Sequence, residues 1–289
     1  MFTYDYHRPT SKKEVCELLD KYGSHAKLLA GGTDLVVQMF EKSPRLKDIQ
    51  HVIDLTHIKE LRFIEENENY VRIGATTTHT DVVESDILRE FAPFLCDATF
   101  LIGSPKIRNT GTIGGNIANA SAAADSVVPL IALDARVKIL GLSGERDVLL
   151  YDLIEKPYSI LTEEDEYITE IYFKKLPEGA KTSFVKLGRR KAMAISRLTV
   201  GVTLEVSEVI ENVSIVPGCV FPVPKRIKSA EELLKGEVPT VELIEEAAKA
   251  VAETMIKETG KRWSTPYKQP VIQSLVKRAI HEALGWEKR

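Results

Sequence analysis

The sequence predicts a two-domain α+β protein, and three observations carry that expectation. Residues 11–55 contain the order β–turn–α–β that builds a small parallel unit. From Leu61 onward, short strands come in pairs joined by polar turns and interleaved with helices. Beyond a charged segment holding Pro177, Glu178 and Gly179, three strands precede two long amphipathic helices.

Each element has a local reason. Residues 11–22 place Val15, Leu18 and Leu19 at helical spacing, with Thr10 or Ser11 as the cap and Gly23 as the stop. Residues 27–30 read as a short buried strand running into Gly31 and Gly32, followed by a helix over 34–40 and a strand over 51–55. Phe63-Ile64 and residues 70–73 pair as strands across the polar turn 65–69. Helices follow over 80–85 and 91–101. Residues 136–140 and Val148-Leu149 form a hairpin turning at Ser143-Gly144, and residues 166–173 supply one more strand. The domain boundary falls within 174–183, dividing the chain into residues 1–176 and 177–289. Past it, residues 184–187, 198–206 and 213–216 predict a three-stranded sheet. Residues 241–256 carry the stripe Ile244, Ala248, Val251 and Met255 and stop at Gly260. Residues 270–284 turn Val271, Leu275, Ala279 and Leu284 inward and end at Gly285. Pro270 is expected in the first turn, where a missing N–H costs nothing.

Composition excludes several function classes. Lysine and arginine number 39 against 42 aspartate and glutamate, a formal charge of −3, so no basic excess suits a nucleic acid or an anionic membrane. Cys16, Cys96 and Cys219 are scattered, without CxxC or Cys/His spacing, and read as free thiols, not cluster or zinc ligands. The histidines His7, His25, His51, His57, His79 and His281 form no metal spacing, and His79 reads as a surface or capping residue. Residues 1–12 have no apolar core of signal-peptide type, and no apolar run approaches the roughly 20 residues of a membrane span. The chain is therefore expected in the cytoplasm.

Two glycine motifs carry chemistry. In Leu28-Leu29-Ala30-Gly31-Gly32-Thr33-Asp34-Leu35 an apolar strand enters two glycines, a hydroxyl and a carboxylate before a helix. Glycines permit positive φ and close approach of a ligand, and freed N–H groups can hold a phosphate. Asp34, unfavourable beside a phosphate, is expected to bond backbone donors or a ribose hydroxyl. On its own this motif reads equally as a tight strand-to-helix turn. About 80 residues on, Ile102-Gly103-Ser104, Ile107-Arg108-Asn109 and Thr112-Ile113-Gly114-Gly115-Asn116 form a second small-residue stretch that continues through Ser121 to Asp125. Two such loops fit a pyrophosphate gripped from two sides. On this reading a branched side chain at Gly32 or Gly114 would expel the ligand and keep the fold. Neither motif is a G-x-G-x-x-G or a G-x-x-x-x-G-K-[ST] fingerprint.

At these residues the chain resembles the FAD-binding subunits of the molybdenum hydroxylases, the family of xanthine, nicotinate and carbon monoxide dehydrogenases. Ala30 to Leu35 and Thr112 to Asn116 stand where that family has its two FAD pyrophosphate loops. Ile107-Arg108-Asn109, the stretch holding Asp125, Phe184-Val185-Lys186 with Arg189-Arg190, and Ala192-Met193-Ala194-Ile195-Ser196 match in order. The resemblance implies a two-part FAD-binding domain of vanillyl-alcohol-oxidase (PCMH) type, followed by an α+β C-terminal domain. It implies non-covalent FAD wrapped by Leu28 to Leu35 and Thr112 to Asn116, with Asp125 in contact with the cofactor. Ile168 and Lys186 match positions near the flavin end and Ile102 one touching the ring system, although Ile168 reads equally as strand core, and the family places residues 74–81, which include His79, near the cofactor. It further implies an oxidoreductase subunit active only in complex, in a dimer of heterotrimers. A partner iron–sulfur subunit would carry two 2Fe–2S clusters and another partner the molybdopterin. Electrons would pass through FAD to NAD or another acceptor. The family implies no catalytic acid–base pair and no metal ligand on this chain. Two departures stand out. There is no inserted four-cysteine loop, and Ser264-Thr265-Pro266-Tyr267-Lys268 replaces an SAEYR-like motif. Arg189-Arg190-Lys191 reads as a solvated charge run or a partner-docking surface. A self-contained flavoenzyme of the same broad fold and a non-catalytic nucleotide-binding module are the alternatives; the first would need an acid–base residue over the flavin.

Overall fold

The computed structural model describes residues 3–286. The first unit is β1 (Asp5–His7), α1 (Lys12–Tyr22), β2 (Ala26–Leu29), α2 (Leu35–Phe40) and β3 (His51–Asp54), with its strands parallel in the order β1-β3-β2. Ser11 caps α1 by accepting from the Glu14 N–H at 3.2 Å, and Gly23 ends it. Strand β1 is absent from the sequence expectation because Asp5, Tyr6 and His7 show no apolar alternation. Its register with β3 creates it, and the Tyr6 hydroxyl donates to the buried carboxylate of Asp54.

The second unit contains β4 (Ile64–Glu66), β5 (Tyr70–Gly74), and then the helices α3 (His79–Glu84), α4 (Asp86–Phe91), α5 (Pro93–Phe100), α6 (Pro105–Arg108), α7 (Ile113–Asn119) and α8 (Val127–Ala132). It closes with β6 (Arg136–Gly141), β7 (Gly144–Leu149), α9 (Leu150–Leu153), β8 (Ile154–Lys156), β9 (Ser159–Ile160) and β10 (Tyr167–Lys174). The sheet order β4-β5-β10-β6-β7 puts β10 at the centre. Ile171 and Phe173 of that strand are buried, and its buried Glu170 takes two bonds from Arg72, at 2.7 and 2.6 Å. Three expectations need correction here. The helix expected over 91–101 is interrupted, because Pro93 begins a new helix after Ala92. The hairpin turns at Leu142-Ser143, since Gly141 already pairs with Gly144. The second glycine motif is no loop: Thr112 accepts from the Gly115 N–H at 3.1 Å and starts α7, with both glycines in its first turn.

The last unit is β11 (Lys181–Leu187), β12 (Leu198–Val206) and β13 (Ile210–Gly218), an antiparallel sheet, followed by α10 (Lys228–Leu234), α11 (Val241–Thr259) and α12 (Thr265–Leu284). Val200, Val202 and Leu204 pack with Ile244, Val251 and Met255 of α11 and with Ile272, Val276 and Ile280 of α12 in one core. Each such fully buried aliphatic side chain contributes about 1.5–3 kcal/mol. Cys16, Cys96 and Cys219 are free thiols.

Pro270 departs from expectation. The helix starts at Thr265, so Pro266 takes the first turn and Pro270 lies inside, exposed. The apolar stripe alone placed the start too late, and the inner face carries Ile272, Val276 and Ile280 beside Leu275 and Ala279. An interior proline removes the bond to the carbonyl four residues back and costs roughly 3 kcal/mol, of which about 1 kcal/mol is offset by restricting the unfolded chain. Pro270→Ala is therefore expected to stabilise the protein by about 1–2 kcal/mol. A urea titration checks this; an unchanged or lower midpoint would refute it.

Candidate functional site

The site is a knot of three backbone segments. The first leaves β2 at Leu29 and turns into α2, with Gly32 at φ 69°, in the left-handed region. The second, residues 75–79, leads from β5 into α3. Thr78 and Asp81 cap that helix reciprocally, at 2.9 and 3.1 Å, and Arg62 grips Asp81 with two bonds of 2.9 Å. The third, residues 110–116, enters α7. Thr78 bridges Thr112, the His79 N–H donates to the Gly111 carbonyl at 2.9 Å, and the Ile113 and Gly114 N–H groups donate to Thr77 and Ala75.

Glycines make this approach feasible. A Cβ on Gly31 would stand 1.8 Å from the Thr110 carbonyl oxygen, and one on Gly114 would stand 2.6 Å from that of Ala75. Both glycines thus serve backbone-to-backbone packing within the protein, which corrects the expectation that Gly114 tolerates a branched side chain without harm to the fold. At Gly32 the positive φ is the constraint.

Between the segments lies a cavity of about 880 Å³, toward the upper end of the roughly 300–1,000 Å³ typical of ligand sites. Leu28, Ala30, Gly31, Gly32, Thr33, Asp34 and Leu35 line one wall, and Thr112, Gly114, Gly115 and Asn116 another; Ile168 of β10 also lines it. The backbone N–H groups of Gly32, Thr33 and Asp34 have no backbone acceptor among the described residues. Half-buried or exposed donors beside a partly enclosed space are free to meet an anionic acceptor. Asp34 forms no cap bond with α2 and leaves its carboxylate to the cavity. Also on the lining, the Arg45 guanidinium lies 4.0 Å from the ring centroid of Tyr158, whose φ is 66° and whose backbone N–H donates to the Ala120 carbonyl at 2.9 Å.

Five candidates lie off this lining. Leu29 belongs to the strand that leads into the first glycine turn, and Ile113 is fully buried core. Ile102, Asp125 and Lys186 mark a second cluster, where the two halves of the chain meet. The Lys186 ammonium of β11 donates to Asp125 at 2.6 Å and to the Leu101 carbonyl at 3.0 Å, beside Ile102. Ile102 accepts through its own carbonyl from Arg108 at 3.1 Å, and the Ser196 hydroxyl donates to Asp125 at 2.5 Å. Burial pushes the Asp125 carboxyl up from the usual range, against the pull of Lys186 and of Ser196.

His79 is neither a surface residue nor a cap. It is the first residue of α3, 3% exposed, and lines the cavity. Burial, with Arg108 adding to it, pushes the imidazole down to about 4. The segment 75–79 lies within the stretch that the resemblance places near the cofactor, and Thr78 and Asp81 stand at capping-box spacing in the sequence. Arg45 and Tyr158 carry no such signal.

Comparison with known proteins agrees with this geometry. Residues 2–175 match the family model described as the FAD binding domain in molybdopterin dehydrogenase, and residues 183–283 match the CO dehydrogenase flavoprotein C-terminal domain. The chain is similar to the nicotinate dehydrogenase FAD-subunit of Eubacterium barkeri, with 32% identity covering 98% of this chain and 97% of that one. It is likewise similar to the carbon monoxide dehydrogenase medium chain of Hydrogenophaga pseudoflava, at 32% identity over 97% and 96% of the two chains. A solved structure of carbon monoxide dehydrogenase from that organism, lacking the Mo-pyranopterin moiety of its molybdenum cofactor, superposes with a TM-score of 0.89 over 98% of each chain at 32% identity.

Two outcomes follow from the packing. Gly114→Val should lower stability in the absence of any ligand by about 1–3 kcal/mol or more, since the clash is with the Ala75 backbone; a ligand-free melting curve equal to wild type would refute it. Lys186→Met should cost about 3–5 kcal/mol by stranding a buried carboxylate. The folded Asp125 carboxyl would then titrate higher still, while the unfolded one stays ordinary. The variant's deficit should shrink as pH falls toward the unfolded value and grow as pH rises. Denaturant titrations across pH test this, and a pH-independent deficit would count against the pair.

Proposed function

This chain belongs to the FAD-binding medium subunits of the molybdenum hydroxylases, and we propose that within such a complex it relays electrons from the 2Fe–2S clusters of one partner to NAD or another acceptor. The observation that carries the reading is the cavity, where two glycine segments meet and leave the Gly32, Thr33 and Asp34 N–H groups without backbone acceptors among the described residues. FAD, when bound, can exchange electrons singly or in pairs, the property needed between one-electron centres and a two-electron acceptor. The chain's own contribution is to bind and orient. Residues 31–34 would hold the diphosphate, Thr112 and residues 114–116 would line its other side, Leu28 and Leu35 would cover adjoining parts, and Ile168 would flank the ring end. The pair of Asp125 and Lys186 would brace the junction beside Ile102.

Three scattered cysteines fall short of the four thiolates that a 2Fe–2S cluster takes, which supports placing the clusters on an iron–sulfur subunit and the molybdopterin on a second partner. The choice of substrate would then rest with the molybdenum subunit, and the chain alone would have no hydroxylase activity. The domain boundary is placed at residues 176/177, between the end of β10 and the start of β11. Among the described residues no helix is long and apolar enough to cross a membrane, and the proposed location is the cytoplasm.

Two measurements test the reading. The purified chain, reconstituted if necessary, should carry one FAD, released by acid precipitation. Affinity purification from its native source should recover two further subunits with iron and molybdenum. Recovery of the chain as a lone, fully active enzyme would sink the relay and promote a self-contained flavoenzyme.

A further inference from the structure

Carboxylates are unevenly spread along this chain. It has 42 aspartates and glutamates, yet residues 98–124, 179–204, 212–230 and 260–281 contain none. The fold gathers these four stretches around one residue. The Cys219 N–H donates to the Ala122 carbonyl at 3.3 Å and its thiol to the Ser196 carbonyl at 3.5 Å, while its own carbonyl accepts from the Lys268 ammonium at 2.8 Å. The Arg197 guanidinium lies 5.9 Å from the ring centroid of Tyr267, which joins the loop after β11 to the start of α12. Asp125, beside this junction, is buried and already paired with Lys186. Arg189, Lys191, Arg197, Lys261, Arg262 and Lys268 form no ion pair among the described residues, and all but Lys268 are exposed. Arg190 holds the same loop in shape by donating to the Ala192 and Met193 carbonyls at 3.0 and 2.6 Å. In these segments Met193, Ile195 and Trp263 are 57%, 84% and 96% exposed.

Unpaired cations set among exposed apolar side chains fit a macromolecule of opposite charge. Permanent subunit interfaces are depleted of charge at their centres, whereas a charge-rich face steers a transient partner by its field. A free dinucleotide brings two phosphates, which leaves most of these cations, and Trp263 and Ile195, without a partner. The face also adjoins the cavity, because Asn116 of the lining accepts from the Ser126 hydroxyl at 2.7 Å, next to Asp125. We propose that this face docks an acidic electron-carrier protein, the acceptor that takes electrons from the bound FAD. Two oxidised carrier molecules each accept one electron from the reduced cofactor, which releases two protons to solvent. The proposal rests on the cavity being the FAD site.

The test uses the full chain loaded with FAD, with an acidic 2Fe–2S ferredoxin as the probe. Binding is measured by calorimetry, and electron exchange by the rate at which ferredoxin reduced beforehand bleaches the flavin. The wild type should bind the ferredoxin, and about tenfold more weakly as salt rises from low values to about 0.15 M. Arg197→Glu with Lys261→Glu should weaken binding about tenfold or more and slow the bleaching, with FAD content unchanged. Trp263→Ala should weaken binding at both salt levels, which charge alone does not explain. Lys13→Glu with Lys59→Glu, on α1 and after β3, should change nothing. If the first pair does not fold, Arg189→Glu with Lys191→Glu takes its place. No ferredoxin binding, or equal loss in the Lys13 and Lys59 control, overturns the proposal. So does a variant that loses NADH affinity but keeps ferredoxin, one that no longer co-purifies with its partner subunits, or wild-type binding to phosphatidylglycerol vesicles as tight as to ferredoxin. A wild-type chain that binds no FAD overturns the reading of the cavity, and the calorimetry still judges the docking face separately.

Discussion

Three backbone segments must pass within van der Waals distance of one another for this protein to have a site at all. The Thr110 carbonyl occupies the space a side chain on Gly31 would need, and the Ala75 carbonyl does the same at Gly114. This contact ties the parallel unit of β1, β2 and β3 to the five-stranded sheet, since residues 30–34 leave the one and residues 75–79 leave the other. It leaves the Gly32, Thr33 and Asp34 N–H groups without backbone acceptors among the described residues, while the carbonyls of Thr77, Ala75 and Gly111 are spent on the knot itself. The cavity is a by-product of that packing. A polyanionic cofactor is the ligand class for which exposed donors and absent side chains are both favourable.

A second constraint is electrostatic and lies at the junction of the two halves. Asp125 follows the glycine-rich helix α7 and is buried, so its carboxylate requires partners. It takes them from the other half of the chain, the Lys186 ammonium and the Ser196 hydroxyl. A buried pair of this kind adds little net stability compared with apolar packing, but it penalises every arrangement that leaves one member alone. That makes it suited to fixing how the C-terminal sheet meets the cofactor domain. The neighbouring bond from Lys186 to the Leu101 carbonyl extends the same brace to the end of α5.

Much of the architecture was legible in local sequence. The spacing of Val15 and Leu19, Ser11 as cap and Gly23 as stop determined α1. Phe63-Ile64 opposite residues 70–73 determined the β4–β5 hairpin, and the stripe from Ile244 to Met255 determined α11. These features are readable because helix and strand periods, caps and stops act over a few residues. The three-stranded C-terminal sheet was equally plain from its β-branched runs.

What the sequence determined by itself is therefore much of the element order, the two glycine motifs and, through their resemblance to a family, the cofactor. Only the tertiary structure decided which residues share a space. It brought Ile168 to the cavity wall, drew Asp125 and Lys186 into a pair of their own, and buried His79 between the glycine segments. It made a strand of Asp5, Tyr6 and His7 through pairing with β3, and it carried α12 back through Pro270 to Thr265. Register, burial and backbone approach are set by partners distant along the chain, and no local pattern of residues encodes those distances.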